Sequence, residues 1–250
     1  MGMVTAITTR SGRPGRTAMI DAAASLHRLL TWTSPAFPIG GYTYSHGLEW
    51  LVEAGRVTDA ETLFAFVADV LQVGNGRIDA AILVWAYRMV GDRHAEGLVA
   101  ALDTGLALRG TPEQALESEA QGRAFWETVQ ALEPVRDRLA WVGDQLPAAG
   151  ARVPHAWAVG CAGGAMAMPL DPLLNGFLHA LAANLISAGV RLIPLGQTAG
   201  QQVLARLTPV ATTTAAAAQT SDPDDLGAAA PMIDLASMAH ETQYTRLFRS

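Results

Sequence analysis

Apolar positions recur along this chain with the spacing of helices rather than of strands. From Ala60 they fall at 60, 63, 64, 67, 68 and 71, with Thr58 and Glu61 in capping-box register ahead of them and Gly74 behind. That pattern predicts a helix ending before Gly74. Asp79 to Val90 predicts the next, closed by Gly91. Thr111, Pro112 and Gln114 supply a cap, a first-turn proline and a third-position amide for a helix running to about Leu132, where Pro134 follows. Asp171 and Pro172 repeat the cap-plus-proline signal, and Leu174, Phe177, Leu178, Leu181 and Leu185 then line one face. A helix from Ala199 to Ala218 contains Pro209, which must kink or break it, and a short last helix carries Met232 to Glu241. Few runs alternate as strands do, and none has hairpin turn signals. The expectation is an all-α, single helical-bundle-like domain of about ten helices, with one longer loop at Gln219 to Leu226.

One stretch breaks the pattern. Ser34 to Trp50 reads SPAFPIGGYTYSHGLEW: two prolines that a helix interior cannot hold, two adjacent glycines, then Tyr42, Tyr44, Ser45 and His46 ahead of an amphipathic run from Leu48 to Ala54. Ordering such a loop is costly, and loops on a rigid scaffold are where recognition concentrates.

Composition narrows the function. Half of the 250 residues are hydrophobic and 16% are charged, which fits a globular chain able to bury a sizeable core. All 17 basic residues are Arg. The missing lysine excludes a Walker-type phosphate lysine and a Schiff-base lysine. A net charge of −6 argues against broad nucleic-acid binding. Cys161 is alone, so there is neither an intrachain disulfide nor a cysteine-cluster metal site, and a reducing cytoplasm is the expected home. Met1 to Arg16 has no apolar run long enough for a signal peptide, and residues 1–20 read as a flexible tail ahead of a domain over 21–250. Pro172 to Val190 is long and uncharged, but Asn175, His179 and Asn184 make it a buried helix rather than a membrane span.

The Ser34 to Trp50 stretch resembles the signature SPxxPxGxxxxSxGLE of the UreF family of urease accessory proteins. RLIPLGQTAGQ from Arg191 to Gln201 and SMAHETQYTRLFRS from Ser237 to Ser250 agree with the same family in kind and in order, so the resemblance spans about Leu26 to Ser250. It implies a non-enzymatic scaffold that homodimerises, binds UreD (UreH in some organisms) and recruits or regulates the GTPase UreG. That assembly serves nickel insertion into apo-urease, with no cofactor in this chain because nickel is handled by the assembled complex.

The residues themselves leave three readings open: a scaffold, a helical enzyme using the Tyr42–His46 loop, and a metallochaperone binding nickel directly. No GxSxG elbow exists, and Ser45 and His46 are adjacent in sequence, which directs their side chains apart. The six histidines include no HxH or HxxxH pair, so neither a catalytic set nor an intrachain metal site is assigned; a site shared across a symmetric dimer stays open. Partner-binding residues are expected instead. By the resemblance, Tyr42 faces UreG, with Tyr44 and His46 beside it in the loop. Arg191 either complements a helix C-terminus or contacts the same partner, and Gln197 caps a helix or joins it. His240 and the 242–250 segment, with Tyr244, Arg246, Leu247 and Phe248, read as a docking tail, because aromatic and Arg side chains anchor interfaces. That tail is expected to be mobile until a partner covers it.

Overall fold

The computed structural model describes residues 16–146 and 151–250. Among them are twelve α-helices and no strand. In chain order the helices are α1 (Arg16–Trp32), α2 (Leu48–Glu53), α3 (Ala60–Gln72), α4 (Asn75–Gly91), α5 (Ala95–Ala107) and α6 (Pro112–Gln130). They continue with α7 (Val135–Gly143), α8 (His155–Ala165), α9 (Leu170–Leu192), α10 (Gln197–Arg206), α11 (Thr208–Ala218) and α12 (Pro231–His240). Short 3-10 turns lie at Gly41–Thr43 and Pro223–Asp225. The all-α, single-domain expectation is met. Of the predicted 1–20 tail, residues 1–15 lie outside the described residues, and α1 already begins at Arg16.

Local chemistry sets the boundaries. Thr111 caps α6 as expected, accepting from the Gln114 amide at 3.1 Å. The start of α3 falls one residue later than predicted. Asp59, not Thr58, is the cap, accepting from the Thr62 amide at 2.9 Å while the Thr62 hydroxyl accepts from the Asp59 amide at 3.0 Å. Glu61 is thereby free to pair with Arg206 across the helices, at 2.6 and 2.8 Å. Pro209 acts as expected: the 199–218 run is broken into α10 and α11 where the proline's missing donor ends the ladder.

Helix α9 forms the axis of the domain and packs against α1, α2, α3, α4, α10 and α11. Leu174, Leu178 and Leu185 are fully buried along it. It is long and apolar enough to cross a membrane by length and composition alone, yet half of its most apolar window is buried inside this protein. Helix α8 lies along α4 at very short range. A Cβ on Gly160 would stand 2.4 Å from the Leu83 carbonyl oxygen, so the contact needs a residue with no side chain. The loop after α1 and the segment after α12 come together at one corner of the domain, against α2, α6 and the end of α9.

Candidate functional site

The loop after α1 and the closing segment meet at this corner and are held together from beneath. The Ser45 amide donates to the Ser250 carbonyl at 2.8 Å and the Arg249 amide to the Thr43 carbonyl at 2.8 Å, so the two strands of chain run side by side. The Ser45 hydroxyl also reaches the Ser250 carbonyl, at 2.5 Å. Gly47 makes the crossing possible. Its φ is +81°, and a Cβ there would sit 2.9 Å from the Ser237 amide nitrogen of α12.

Three buried carboxylates anchor the strap formed by residues 242–250. Glu49 of α2 accepts from the Leu247 and Phe248 amides at 2.6 and 2.9 Å and meets His240 Nε2 at 3.1 Å. Glu113 of α6 meets His240 Nδ1 at 2.8 Å and accepts from Arg246 Nη1 at 2.8 Å. One turn further along α6, Glu117 accepts from the Ser250 hydroxyl at 2.9 Å and meets His46 Nδ1 at 3.2 Å. His46 Nε2 lies 3.1 Å from the Asn75 amide nitrogen. Burial by itself would raise the Glu117 carboxyl. The His46 ring, the Ser250 hydroxyl and the Arg109 guanidinium more than offset that and hold it below the ordinary carboxylate range. Buried charges are tolerated when paired and hydrogen-bonded, and every carboxylate here has at least two partners.

Phe248 completes the anchor. It is 3% exposed, and the Arg191 guanidinium lies 4.4 Å from its ring centroid. The same guanidinium donates to the Tyr42 carbonyl at 2.9 Å, joining strap and loop to the end of α9. Arg249 lies 5.7 Å from the centroid of the Tyr44 ring.

The structure places the expected partner-binding residues in two groups. The closing segment is not a loose tail: its backbone donors are matched by Glu49 and by the loop, and Phe248 is enclosed. Tyr44, His46, His240 and Phe248, expected to meet partners, are buried and hold this corner together. Arg191, Arg246 and their neighbours form intramolecular contacts. Tyr42, Tyr244 and Leu247 are exposed, and Gln197 lies exposed at the start of α10. Glu49, Glu113, Glu117 and Asn75 were not singled out in the sequence. The signal was present in part: Glu113, Glu117 and Gln121 follow one another at four-residue spacing on a helix face that is buried.

In this corner the side chains of Ser45 and His46 are turned to separate partners. The Ser45 hydroxyl is engaged with Ser250 and accepts from the Glu49 amide at 3.3 Å, and the His46 ring is engaged with Glu117 and Asn75. Among the described residues no group of three or more His, Cys, Asp or Glu could hold a metal ion.

What the corner does present is apolar surface. Met232, Leu235 and Met238 are three residues apart on α12 and are 54%, 55% and 47% exposed, while Ile233, Ala236, Ser237 and His240 on the opposite face are buried. The strap follows directly, with Tyr244 and Leu247 outward. Scattered exposed apolar residues are ordinary; here they form a helical stripe continued by an anchored strap.

Comparison with known proteins places the chain among relatives. The family model described as UreF matches residues 57–208. A protein of Bradyrhizobium sp. (strain ORS 278) named urease accessory protein UreF is 48% identical over 246 residues, covering 97% of this chain and 99% of the relative. Proteins of the same name from Rhodopseudomonas palustris (strain TIE-1) and Xanthobacter autotrophicus (strain ATCC BAA-1158 / Py2) are each 47% identical, covering 91% and 92% of this chain and 93% of each relative.

Proposed function

The chain belongs to the UreF family of urease accessory proteins, and on that premise we propose that it is a scaffold for nickel insertion into apo-urease. Its family is one of accessory proteins, not of catalysts. In this reading the chain homodimerises in the cytoplasm, binds UreD (UreH), and positions UreG. Nickel is cargo of the assembled complex, not a resident cofactor of this chain.

The observation that carries the reading is the exposed apolar stripe of α12 continued by Tyr244 and Leu247 of the strap. A partner that covers it gains roughly 25 cal/mol for each Å2 of apolar surface removed from water. The buried carboxylates serve this surface by fixing the strap in place, so that little ordering remains to oppose binding. Tyr42 is exposed at the same corner, which supports its assignment as the loop residue that meets UreG. Leu26 and Leu30, one turn apart and exposed on α1, offer a second apolar face for the homodimer.

Reconstitution of urease activation from apo-urease, UreD, UreG, GTP and nickel tests the proposal. Activation should depend on this chain, and Leu235→Asp should remove UreD co-purification while the helical content is unchanged. Full activation without the chain, or normal complex assembly by the folded variant, would refute it. Tight stoichiometric nickel binding by the isolated chain would instead favour the metallochaperone reading.

A further inference from the structure

Sulfur is unevenly placed in this protein. Cys161 is buried, and burial pushes its thiol well above the ordinary range, so it is neither exposed nor a thiolate near pH 7. Met166 and Met168 are buried. Met89 is half-buried against the core, with its sulfur packed where a Cβ on Gly97 would stand. Met232 and Met238 differ: both are exposed on α12, three residues before and three after Leu235. Between Met89 and Ser250, exposed sulfur is confined to the apolar stripe of that helix.

The mounting of α12 keeps both sulfurs at the surface. Its opposite face, with Ile233, Ala236, Ser237 and His240, is buried, and the helix packs against α2 and α6. The Ser237 hydroxyl lies 2.7 Å from the Thr111 hydroxyl, and His240 is held between Glu113 and Glu49. A helix fixed in this way does not rotate to hide a modified methionine from a partner. A thioether is apolar and packs well against apolar surface. A sulfoxide is polar, so covering it without a hydrogen-bond donor is costly.

We propose that Met232 and Met238 are an oxidation site that switches this surface off, with hydrogen peroxide as the oxidant, a role that rests on the α12 stripe being the UreD contact. A sulfur lone pair attacks one peroxide oxygen and the O–O bond breaks. The proton of the attacked oxygen passes to the departing hydroxide, which leaves as water. The sulfur is oxidised by two electrons to the sulfoxide, and the peroxide is reduced. Both side chains already face solvent, so the fold is kept while the stripe loses its apolar character on either side of Leu235. Methionine sulfoxide reductases supplied with a dithiol reverse the step: the sulfoxide oxygen leaves as water and the dithiol becomes a disulfide.

The test treats the full chain alone with hydrogen peroxide, removes the excess with catalase, and then adds UreD. Peptide mass spectrometry should show one added oxygen on Met232 and one on Met238, forming at least about tenfold faster than on Met166 or Met168. UreD affinity should fall at least about tenfold, the effect of covering two unpaired polar groups, while the thermal midpoint stays within about 2 °C. Sulfoxide reductases with dithiothreitol should restore it. Combining Met232→Leu with Met238→Leu should keep affinity within about threefold and make it insensitive to peroxide, since the side chains are close in volume. That double variant also separates these two residues from the other methionines. Undiminished UreD binding by the oxidised chain, a collapse of its midpoint, or peroxide sensitivity surviving in the double variant would overturn the oxidation switch and leave the UreD contact standing. Equally fast reaction at Met166 and Met168 would do the same. Failure of the untreated chain to bind UreD would overturn the contact, and the switch with it.

Discussion

Replacing Phe248 by Ala removes the apolar anchor of the strap while leaving its polar anchors in place. A Phe side chain buries about 150–250 Å2, and at about 25 cal/mol per Å2 that corresponds to about 4–6 kcal/mol. Phe248 is 3% exposed, so nearly all of this applies, and measured Phe→Ala costs in cores are about 3–5 kcal/mol. The amides of Leu247 and Phe248 still have Glu49, and the Arg249 amide still has the Thr43 carbonyl. Taking the lower figure of about 3 kcal/mol as the local effect, opening of the strap becomes about a hundredfold more frequent. The strap contains no helix, so far-ultraviolet circular dichroism should barely change. The direct assay is amide hydrogen exchange at Leu247 and Phe248, whose protection should fall by that factor, together with faster tryptic cleavage after Arg246. Tyr244→Ala is the control, because that side chain is fully exposed and its loss should alter neither. Unchanged protection at Leu247 and Phe248 in the Phe248 variant would refute the reasoning that packing, rather than the carboxylates alone, holds the strap.

Gly47→Ala should destabilise the whole domain by at least about 2 kcal/mol, read from the urea midpoint, since it combines an unfavourable φ with a clash against α12. Acidification should destabilise the protein through His155. Its folded-state value, about 4, lies below the unfolded 6.5, so its contribution is complete above about pH 6.5 and is lost as pH falls through about 4. The stability at about pH 5 should be about 2 kcal/mol below that at about pH 7.5, and His155→Phe should flatten this dependence. Tyr42→Ala should leave the thermal midpoint within about 1 °C while reducing UreG pull-down, because an exposed side chain leaves no cavity behind. Arg191→Ala should loosen both the Tyr42 loop and the strap, seen as increased hydrogen exchange in the two segments together, because one guanidinium serves both.

The sequence by itself determined the all-α class, most helix cores and the loop that matters. Helical periodicity, the Thr111–Pro112 start and the Pro209 break are local signals, and local steric and hydrogen-bonding rules are enough to read them. The blocks around Ser34–Trp50, Arg191–Gln201 and Ser237–Ser250 were enough to indicate the family. The tertiary structure decided which members of those blocks face solvent. Tyr42 and Tyr44 are two residues apart in one loop, yet one is exposed and the other enclosed, because the strap lies on only one side of the 3-10 turn. Phe248 and Leu247 are adjacent in the strap, yet only Phe248 meets Arg191. The partners of the strap lie about 130 to 200 residues away, on α2 and α6, and no local pattern predicts a pairing at that separation. The four-residue spacing of Glu113 and Glu117 puts them on one helix face, but nothing local marks Glu49, Glu113 or Glu117 as buried. They are buried only because an aromatic anchor, two histidines and a returning chain arrive from elsewhere to pair them, and such pairing exists only once the helices have packed.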